Sequence, residues 1–468
     1  MTAPAAGSAV EVRVVDRIAE FVAGLNYSDL PATVVSTVVD AVTDALGCGL
    51  AGAREPLASS IRRALDIVPA TSGAADPVIG VDAQASWEAA AVYNGAVIHA
   101  LDFDDTNHPA YAHPSSALVP VLLDAARRED ADGELAVAAY VAGLELEARL
   151  GGTLNMAHYL EGWHPTGTFG TLAAAAAASV LYRLDVDQCR TALGIASSMA
   201  SGVRANFGTM TKPLHAGLAA RNGLQAARLA AAGLTASIDA VDGTFGYFDV
   251  FGTVDPGGAL SFDTWTDLGR EWATVSPYGL ALKPFPSCGA THPAIEAALQ
   301  ATTDLRERAI AKVTVGTTPH SASVLIYSRP RTGLEGKFSM EYCVAAALTT
   351  GRVDLDSFTD AAVNDPRIHA LIDAVEVVVD PTLSDNTEWG AQVEVQTVDG
   401  ESIRHRVVLA TGKRDRWPSV QDLELKFVSC AAPTLGEPQA HDAFTAIREL
   451  PQLATLRELG SVVRPTKR

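Results

Sequence analysis

Cysteine and aromatic residues are scarce in this sequence. Its five cysteines are scattered among 468 residues and never occur in a CxxC spacing, so neither a zinc site nor a disulfide framework is predicted. Disulfides are rare in reducing compartments, and their expected absence favours a cytoplasmic protein. The segment Met1–Gly7 has no basic region followed by a long apolar core, so we expect no signal peptide.

Basic charge is also in short supply. The chain has 35 Lys and Arg against 55 Asp and Glu, a formal net charge of −20, which argues against nucleic-acid and anionic-membrane partners. A small anion remains a possible ligand, because a few lysines can form a local positive pocket. The uncharged run Pro165–Tyr182 consists of Ala, Gly and Thr with little Leu or Ile, which is typical of a close-packed helix rather than a membrane span.

Sequence motifs for common cofactors are missing. No Gly-rich dinucleotide or P-loop pattern occurs, so nicotinamide and ATP chemistry are not predicted. The histidines and carboxylates lack the HExxH spacing of a zinc enzyme. We therefore expect no cofactor and no metal, with a divalent ion held by the histidines and carboxylates as the alternative.

The pattern of apolar residues divides the chain into three parts. Residues 1–274 carry helical periodicity, as in Val34 to Leu46, with no convincing strand before about Trp272. Residues 275–411 add alternating, strand-like runs, and two of these runs flank the hairpin signal Asp399-Gly400. Residues 412–468 are again helical. We predict a mainly α protein: a large helical domain from both chain ends and a smaller α+β domain whose sheet is largely antiparallel.

Potential catalytic groups are concentrated between His99 and Ser116. Burying so many polar groups between two apolar helices costs several kcal/mol unless they pair or bind a ligand. A functional cluster is therefore favoured over a loop of helix caps and satisfied histidines. The stretch contains His99, Asp102, Asp104, Asp105, Thr106, His108 and His113.

Four other segments contain candidate site residues. Each has a simpler interpretation as a solvated histidine, a surface lysine, an inert thiol or a packed tyrosine. Lys212 and Lys283 each precede a proline, which restrains the backbone, and Lys283 lies where the helical pattern ends, a common position for a cleft. The candidates in these segments are His164, Lys212, Lys283 with Cys288, and Tyr327.

Acids, bases and restrained cations together are typical of proton abstraction beside a carboxylate. Lysines would hold the carboxylates of a polycarboxylate, a base would remove the Cα proton, and an acid would assist the leaving group. We expect His113 and His164, oriented by Asp102, to transfer the protons, Lys212 and Lys283 to bind carboxylates, and Thr106 to donate a hydrogen bond.

These motifs, in this order, resemble the MmgE/PrpD family, which includes 2-methylcitrate dehydratase, cis-aconitate decarboxylase and iminodisuccinate epimerase. The most specific are Asp102–Thr106 with His113-Pro-Ser, Gly162–Gly167, Gly208–Gly217 and the Lys283-Pro-Phe-Pro segment. The resemblance implies a homodimer, a lid formed by the α+β domain, and a metal-free site at the domain cleft. It places in that site Asp102, Thr106, His113, His164, Lys212 and Lys283, with Tyr327 a weaker match.

One departure from the family bears on the reaction. The decarboxylase branch has a histidine where this chain has Cys288, so we favour dehydration of a tricarboxylate such as 2-methylcitrate. Epimerisation of an imino- or amino-dicarboxylate and decarboxylation of cis-aconitate are the alternatives. A ligand-binding protein without catalysis is a further one, because a fold alone does not guarantee a function.

Overall fold

A computed structural model describes residues 13–70, 77–127, 130–252, 260–306, 308–383 and 390–466. It confirms the predicted fold class, mainly α with a smaller α+β part. In the first half, the helices are α1 Val14–Gly24, α2 Ala32–Gly52, α3 Pro56–Ala64, α4 Trp87–His99, α5 Pro114–Ala125, α6 Gly133–Leu160, α7 Pro165–Leu181, α8 Val186–Ser197, α9 Thr211–Ala231 and α10 Tyr247–Phe251.

The second half mixes helices with a sheet and ends in helices. Its helices are α11 His292–Leu305, α12 Pro319–Val324, α13 Gly333–Gly336, α14 Met340–Thr350, α15 Asp360–Val363, α16 Pro366–Ile372, α17 Val420–Leu435, α18 Glu437–Arg448 and α19 Arg457–Val462. The strands of the chain are β1 Val68–Pro69, β2 Ala83–Gln84, β3 Thr106–Asn107, β4 Leu280–Ala281, β5 Ile310–Thr317, β6 Val375–Val379, β7 Ala391–Thr397 and β8 Ser402–Val407.

The four-stranded sheet has the order β6-β5-β7-β8. Strand β5 runs parallel to β6 and antiparallel to β7, and β7 is antiparallel to β8. The predicted strands and the turn at Asp399-Gly400 are confirmed, and Gly400 has φ +92°, a conformation that favours glycine.

Short strands also occur where none was predicted. The prediction of no strand before about Trp272 was wrong for β1, β2 and β3, each only two residues long. Two residues cannot display the alternation that identifies a strand in a sequence. The pairing of β3 with β4 matters for the site, because it joins Thr106 to Ala281 across the chain.

Buried apolar residues form two main clusters. One contains residues from the first 282 positions together with residues 423–463, so both chain ends contribute to it. The other lies within residues 294–407 and covers one face of the sheet. A small aromatic cluster, with Tyr159, Phe207 and Phe338, connects segments from both regions. The exact boundaries at 274/275 and 411/412 stay predictions.

Glycines bring α4 and α9 unusually close together. A Cβ on Gly95 would lie 2.7 Å from the Cα of Gly217, and a Cβ on Gly217 would lie 2.0 Å from the carbonyl oxygen of Val92. Larger side chains would therefore force the helices apart. This close approach brings the end of α4, at His99, beside the first turn of α9, at Lys212.

One described helix is long and apolar enough to cross a membrane. This is α2, Ala32–Gly52, and 78% of its most apolar window is buried inside the protein. The core helix of a globular protein passes the same test of length and composition. The segment Pro165–Tyr182 forms the buried helix α7, which ends at Leu181.

Candidate active site

A cavity between the helical and α+β parts brings together residues that are far apart in sequence. Asp102 and Lys283, 181 positions apart, meet at its wall. Seven of the eight predicted site residues line this cavity: Asp102, Thr106, His113, His164, Lys212, Lys283 and Cys288.

Local structure explains how these side chains converge. Asp102 lies just beyond the end of α4 in a left-handed turn, with φ +51°, a strained conformation for a residue other than glycine. Lys212 projects from the first turn of α9, and His113 and His164 immediately precede α5 and α7. Lys283 follows β4, and the β3–β4 ladder fixes its segment beside the Asp102 turn.

The Asp102 carboxylate joins the two predicted lysines. Lys212 donates to Oδ1, while Lys283 donates to Oδ2 at 2.9 Å and to the Asp102 carbonyl oxygen at 2.9 Å. Burial alone would raise the pKa of Asp102, but the two ammonium groups outweigh it and hold that pKa well below its usual range. The carboxylate is therefore ionised throughout the neutral range.

A second carboxylate acts on Lys212 through a histidine. His99 Nδ1 lies 2.9 Å from Asp104 Oδ1, and His99 Nε2 lies 2.8 Å from Lys212 Nζ. An ammonium group can only donate, so Nε2 must accept and Nδ1 must carry the proton that Asp104 accepts. Burial lowers the pKa of His99, which favours this neutral form. Asp104 thus fixes the tautomer that holds Lys212 in place.

His113 is a neutral imidazole between two carboxylates. Its Nε2 lies 3.7 Å from Asp102 Oδ1, and its Nδ1 lies 3.5 Å from Asp104 Oδ2. Burial, reinforced by His99 at a ring distance of 4.1 Å, lowers the pKa of His113 to about 3. A neutral imidazole has one unprotonated ring nitrogen that can accept a proton, so His113 is a candidate general base at neutral pH.

The surroundings of His164 differ from the prediction. Asp102 was expected to orient both proton-transfer histidines, yet the Nδ1 of His164 lies 3.0 Å from the Nδ1 of His215. Phe207 packs edge-on against the same ring, at a centroid distance of 5.0 Å. Burial and the neighbouring cation of Lys212 hold the pKa of His164 well below its usual range. His164 is oriented by another histidine and an aromatic ring.

Asp105 points away from the cavity, although it belongs to the same acidic motif. Ser115 donates to it through its backbone N–H at 3.1 Å and its hydroxyl at 2.6 Å, and the Tyr140 hydroxyl donates at 3.3 Å. Burial raises the pKa of Asp105 to about 8. The same helical core contains Glu147, whose pKa burial raises well above its usual range. Asp105 is thus a protonated core residue at neutral pH.

Asparagine at position 105 should flatten the dependence of stability on pH. A carboxyl group with a raised pKa in the folded state retains its proton in the fold and loses it when unfolded, so stability falls as pH rises from 6 to 8. In Asp105→Asn this fall should shrink by about 1–2 kcal/mol. Urea unfolding at the two pH values measures it, with the exposed Asp442→Asn as the matched control. An unchanged slope in Asp105→Asn would contradict the assignment of a protonated Asp105.

Cys288 and Tyr327 occupy different positions relative to the cavity. Cys288 lines it, and burial raises the pKa of its thiol, so the neutral thiol predominates at pH 7. Tyr327 packs behind Phe207 and donates its hydroxyl hydrogen to the Phe207 carbonyl oxygen at 3.1 Å. It is not among the lining residues of the cavity in the described part of the chain. The predicted contact of Tyr327 with substrate stays a prediction.

Several residues of the site were not predicted to take part. His99 belonged to the polar stretch, and its position at the end of an apolar helix was the available signal. The aromatic residues at the cavity wall had no such signal in the sequence, because only tertiary packing brings them to the cavity. The unpredicted residues include His99, Tyr159, Phe207, His215, His292 and Phe338.

One trio of side chains has the composition of a metal site. Ligand atoms of His99, Asp104 and His113 lie within 4.8 Å of one another. The ammonium of Lys212 already binds the free nitrogen of His99, and a cation there would be repelled by it. The trio therefore fits an arrangement that orients Lys212 and His113 better than a metal centre.

Comparison with known proteins identifies relatives for nearly the whole chain. The MmgE/PrpD N-terminal domain matches residues 16–257, and the MmgE/PrpD C-terminal domain matches residues 285–451. A cis-aconitate decarboxylase-like protein of Aspergillus oryzae is 30% identical over 431 residues, covering 86% of this chain and 88% of the relative. Human cis-aconitate decarboxylase is 30% identical, covering 80% and 79%. Cis-aconitate decarboxylase of Aspergillus terreus is 26% identical, covering 98% and 97%.

Proposed function

The chain belongs to the MmgE/PrpD family, and on that premise we propose that it is a lyase that acts on a small polycarboxylate by acid–base catalysis. One observation carries the proposal: two buried ammonium groups, those of Lys212 and Lys283, converge beside neutral imidazoles at a cavity wall.

The lysines suit the charge of the substrate. Each ammonium group has three N–H donors, and the contacts to Asp102 and His99 leave Lys212 with one donor toward the cavity. A substrate carboxylate at this place would be held by charge-assisted hydrogen bonds, which are stronger than neutral ones. The two ammonium groups lie within a protein of net charge −20, which favours selection of the substrate by shape and local pairing over long-range attraction.

The imidazoles suit proton transfer. In the first reaction that we propose, His113 takes the proton from the carbon beside a carboxylate of a tricarboxylate such as 2-methylcitrate. The electrons of that C–H bond form a C=C bond, and the C–O bond of the neighbouring hydroxyl breaks. The hydroxyl leaves as water after receiving a proton from a second group. His164 was the predicted donor, but its lowered pKa leaves the ring neutral, so the Lys212 ammonium beside His99 is the better candidate. The lysines stabilise the negative charge that develops on the carboxylate side.

Decarboxylation of cis-aconitate is the second candidate, because relatives covering most of the chain carry that name. Here a C–C bond breaks, carbon dioxide leaves, and the remaining carbanion takes up a proton. The neutral thiol of Cys288 stands at the cavity where the decarboxylase branch has a histidine. The thiol retains its proton at neutral pH because burial raises its pKa, but it does not supply the imidazole that the decarboxylase branch has at this position. On this difference we place dehydration first.

Proton NMR with 2-methylcitrate, citrate, cis-aconitate and iminodisuccinate separates these reactions. For dehydration, we expect alkene proton signals to appear and the signals of the protons beside the hydroxyl-bearing carbon of the hydroxy acid to disappear. Release of carbon dioxide from cis-aconitate would replace the dehydratase by the decarboxylase. Exchange of the Cα proton without a change of skeleton would indicate an epimerase. Binding of these acids without any turnover would refute the lyase.

The substitution Cys288→His should shift the enzyme toward decarboxylation of cis-aconitate. Cys288→His places an imidazole where the decarboxylase branch has one and is expected to raise the rate of carbon dioxide release from cis-aconitate by about 10²-fold, the typical contribution of a positioned acid–base group. Cys288→Ser, which changes the side chain without adding an imidazole, is the matched control and should show no gain. Equal carbon dioxide release by the two variants would show that this position does not select the reaction.

A further inference from the structure

Three lysines hold three consecutive carbonyl groups around the strained Asp102. The carbonyl oxygens of residues 101, 102 and 103 each accept a hydrogen bond from a different ammonium group, and the donors lie in different parts of the chain. Lys337 donates to Leu101 at 2.8 Å, Lys283 to Asp102 at 2.9 Å, and Lys426 to Phe103 at 2.8 Å.

Two of these lysines have a second carbonyl partner in the other active-site segment. Lys337 also donates to the carbonyl oxygen of Pro286 at 2.8 Å, and Lys426 also donates to that of Lys283 at 2.8 Å. Each ammonium group therefore connects the Asp102 turn with the 283–286 segment. Neither Lys337 nor Lys426 is found among the described residues that line the cavity, so both act from behind the wall.

Lys337 is buried and the side chain of Lys426 is only 14% exposed, and removing such charges from water is costly without compensation. Lys426 forms an ion pair with Asp44 of α2 at 2.6 Å and lies 3.8 Å from the centre of the Phe103 ring. Lys337 is 3% exposed and lies 4.6 Å from the ring centre of Phe358. An apolar side chain would fill either place without this cost, but it could not hold two carbonyl groups at a fixed separation.

The turn also needs external support. A non-glycine residue with φ near +50° is strained and persists only where its surroundings over-determine it. One hydrogen bond on each side of Asp102, to the carbonyl groups of Leu101 and Phe103, supplies such a constraint together with the bond from Lys283.

We infer that Lys337 and Lys426 are positioning residues of the active site: they fix the Asp102 carboxylate and the Lys283 ammonium relative to each other. The place where a substrate carboxylate meets Lys283 then depends on both. This inference rests on the proposed function, since it concerns the geometry of the same site.

The titration of Lys337 gives the inference a pH signature. Burial lowers the pKa of Lys337 to about 8, against the opposing attraction of Asp102 and Glu55. Lys283 and Cys343 are the other ionisable groups that act on it. Above this pKa the amine loses its charge and one donor, and its bonds to the two carbonyl groups weaken. Activity should therefore fall above pH about 8 because Lys337 loses its proton.

Methionine variants test both positions. Lys337→Met and Lys426→Met keep an unbranched side chain that is one atom shorter and remove the donors. Each should lower kcat/KM about 100-fold, as expected when a reacting group is displaced by about 1 Å. Lys312→Met, at an exposed lysine paired with Glu376 on the sheet, is the matched control. The alkaline fall of the wild-type pH profile should be absent in Lys337→Met, whereas a merely structural lysine would lower activity equally at every pH.

A second measurement does not depend on turnover. The rate at which acetic anhydride acetylates Lys283, followed by peptide mass spectrometry, should rise several-fold in both methionine variants because Lys283 is released from Asp102. If the wild type turns over no polycarboxylate, the proposed function fails, while this rate still tests the positioning. Should a methionine variant not fold, the glutamine variant is measured in its place. Unchanged acetylation in the variants, or unchanged kcat/KM with an active wild type, would overturn the inference.

Discussion

Lys212→Met is expected to lower kcat/KM for the polycarboxylate substrate by about 10³-fold, the upper range for removal of a single charge-stabilising donor. Methionine is one atom shorter than lysine and offers no charge and no donor. Asp102 would lose the partner on Oδ1, His99 would lose the donor on Nε2, and a bound carboxylate would lose its counter-charge. Steady-state kinetics on the substrate found by NMR measures the effect.

The fold should survive this change. Lys283 still donates to Oδ2 of Asp102, so the buried carboxylate keeps one cation and the expected loss of stability is about 1–3 kcal/mol. Adding Asp102→Asn to Lys212→Met should lower the stability further, because it leaves the buried Lys283 ammonium without its counter-charge, and it should restore none of the activity. Wild-type kcat/KM in folded Lys212→Met would mean that the lysine holds no reacting group.

His113→Gln is expected to abolish proton abstraction, with a loss of about 10²–10⁴-fold in kcat/KM, the range for a general base. Glutamine retains a polar group of similar reach but cannot accept a proton at neutral pH. Turnover and exchange of the substrate Cα proton in D₂O should fall together. The matched control is His405→Gln. His405 lies on strand β8 and is paired with Asp304, and this variant should behave as wild type.

The pH profile provides an independent test of His113 as the base. A base must be unprotonated, and the pKa of His113 is lowered to about 3, so kcat/KM should stay level as pH falls from 7 to 5. An ordinary histidine, with a pKa of about 6.5, would cause a clear decline over that interval. Such a decline, or a His113→Gln variant that still exchanges the Cα proton, would assign the base to another residue.

Local sequence patterns were sufficient for most of the fold. Alternating apolar residues and the Asp399-Gly400 turn predicted strands β5 to β8, and helical periodicity predicted the long helices, since both signals arise from neighbouring positions. The two-residue ladder between β3 and β4 left no such signal. It depends on two segments separated by more than 170 residues meeting at one place.

The sequence predicted most of the residues of the site, but not the hydrogen bonds that join them. The polar stretch after α4 and the two Lys-Pro pairs identified most of the cavity wall, because buried polar groups are costly unless they have a role. The pairing of His164 with His215 and the paths from Lys337 and Lys426 to the Asp102 turn could not be read from the sequence. These contacts follow from helix packing, which single-residue patterns do not specify.

A crystal structure with propane-1,2,3-tricarboxylate, which has no hydroxyl group to eliminate, tests the central claim most directly. We predict carboxylate oxygens within about 3 Å of both Lys212 Nζ and Lys283 Nζ, with a Cα hydrogen directed at His113. Two results would contradict the assignment of these lysines as the carboxylate site. The tricarboxylate could bind elsewhere, or it could bind in the cavity without contacting either lysine while both still donate to Asp102.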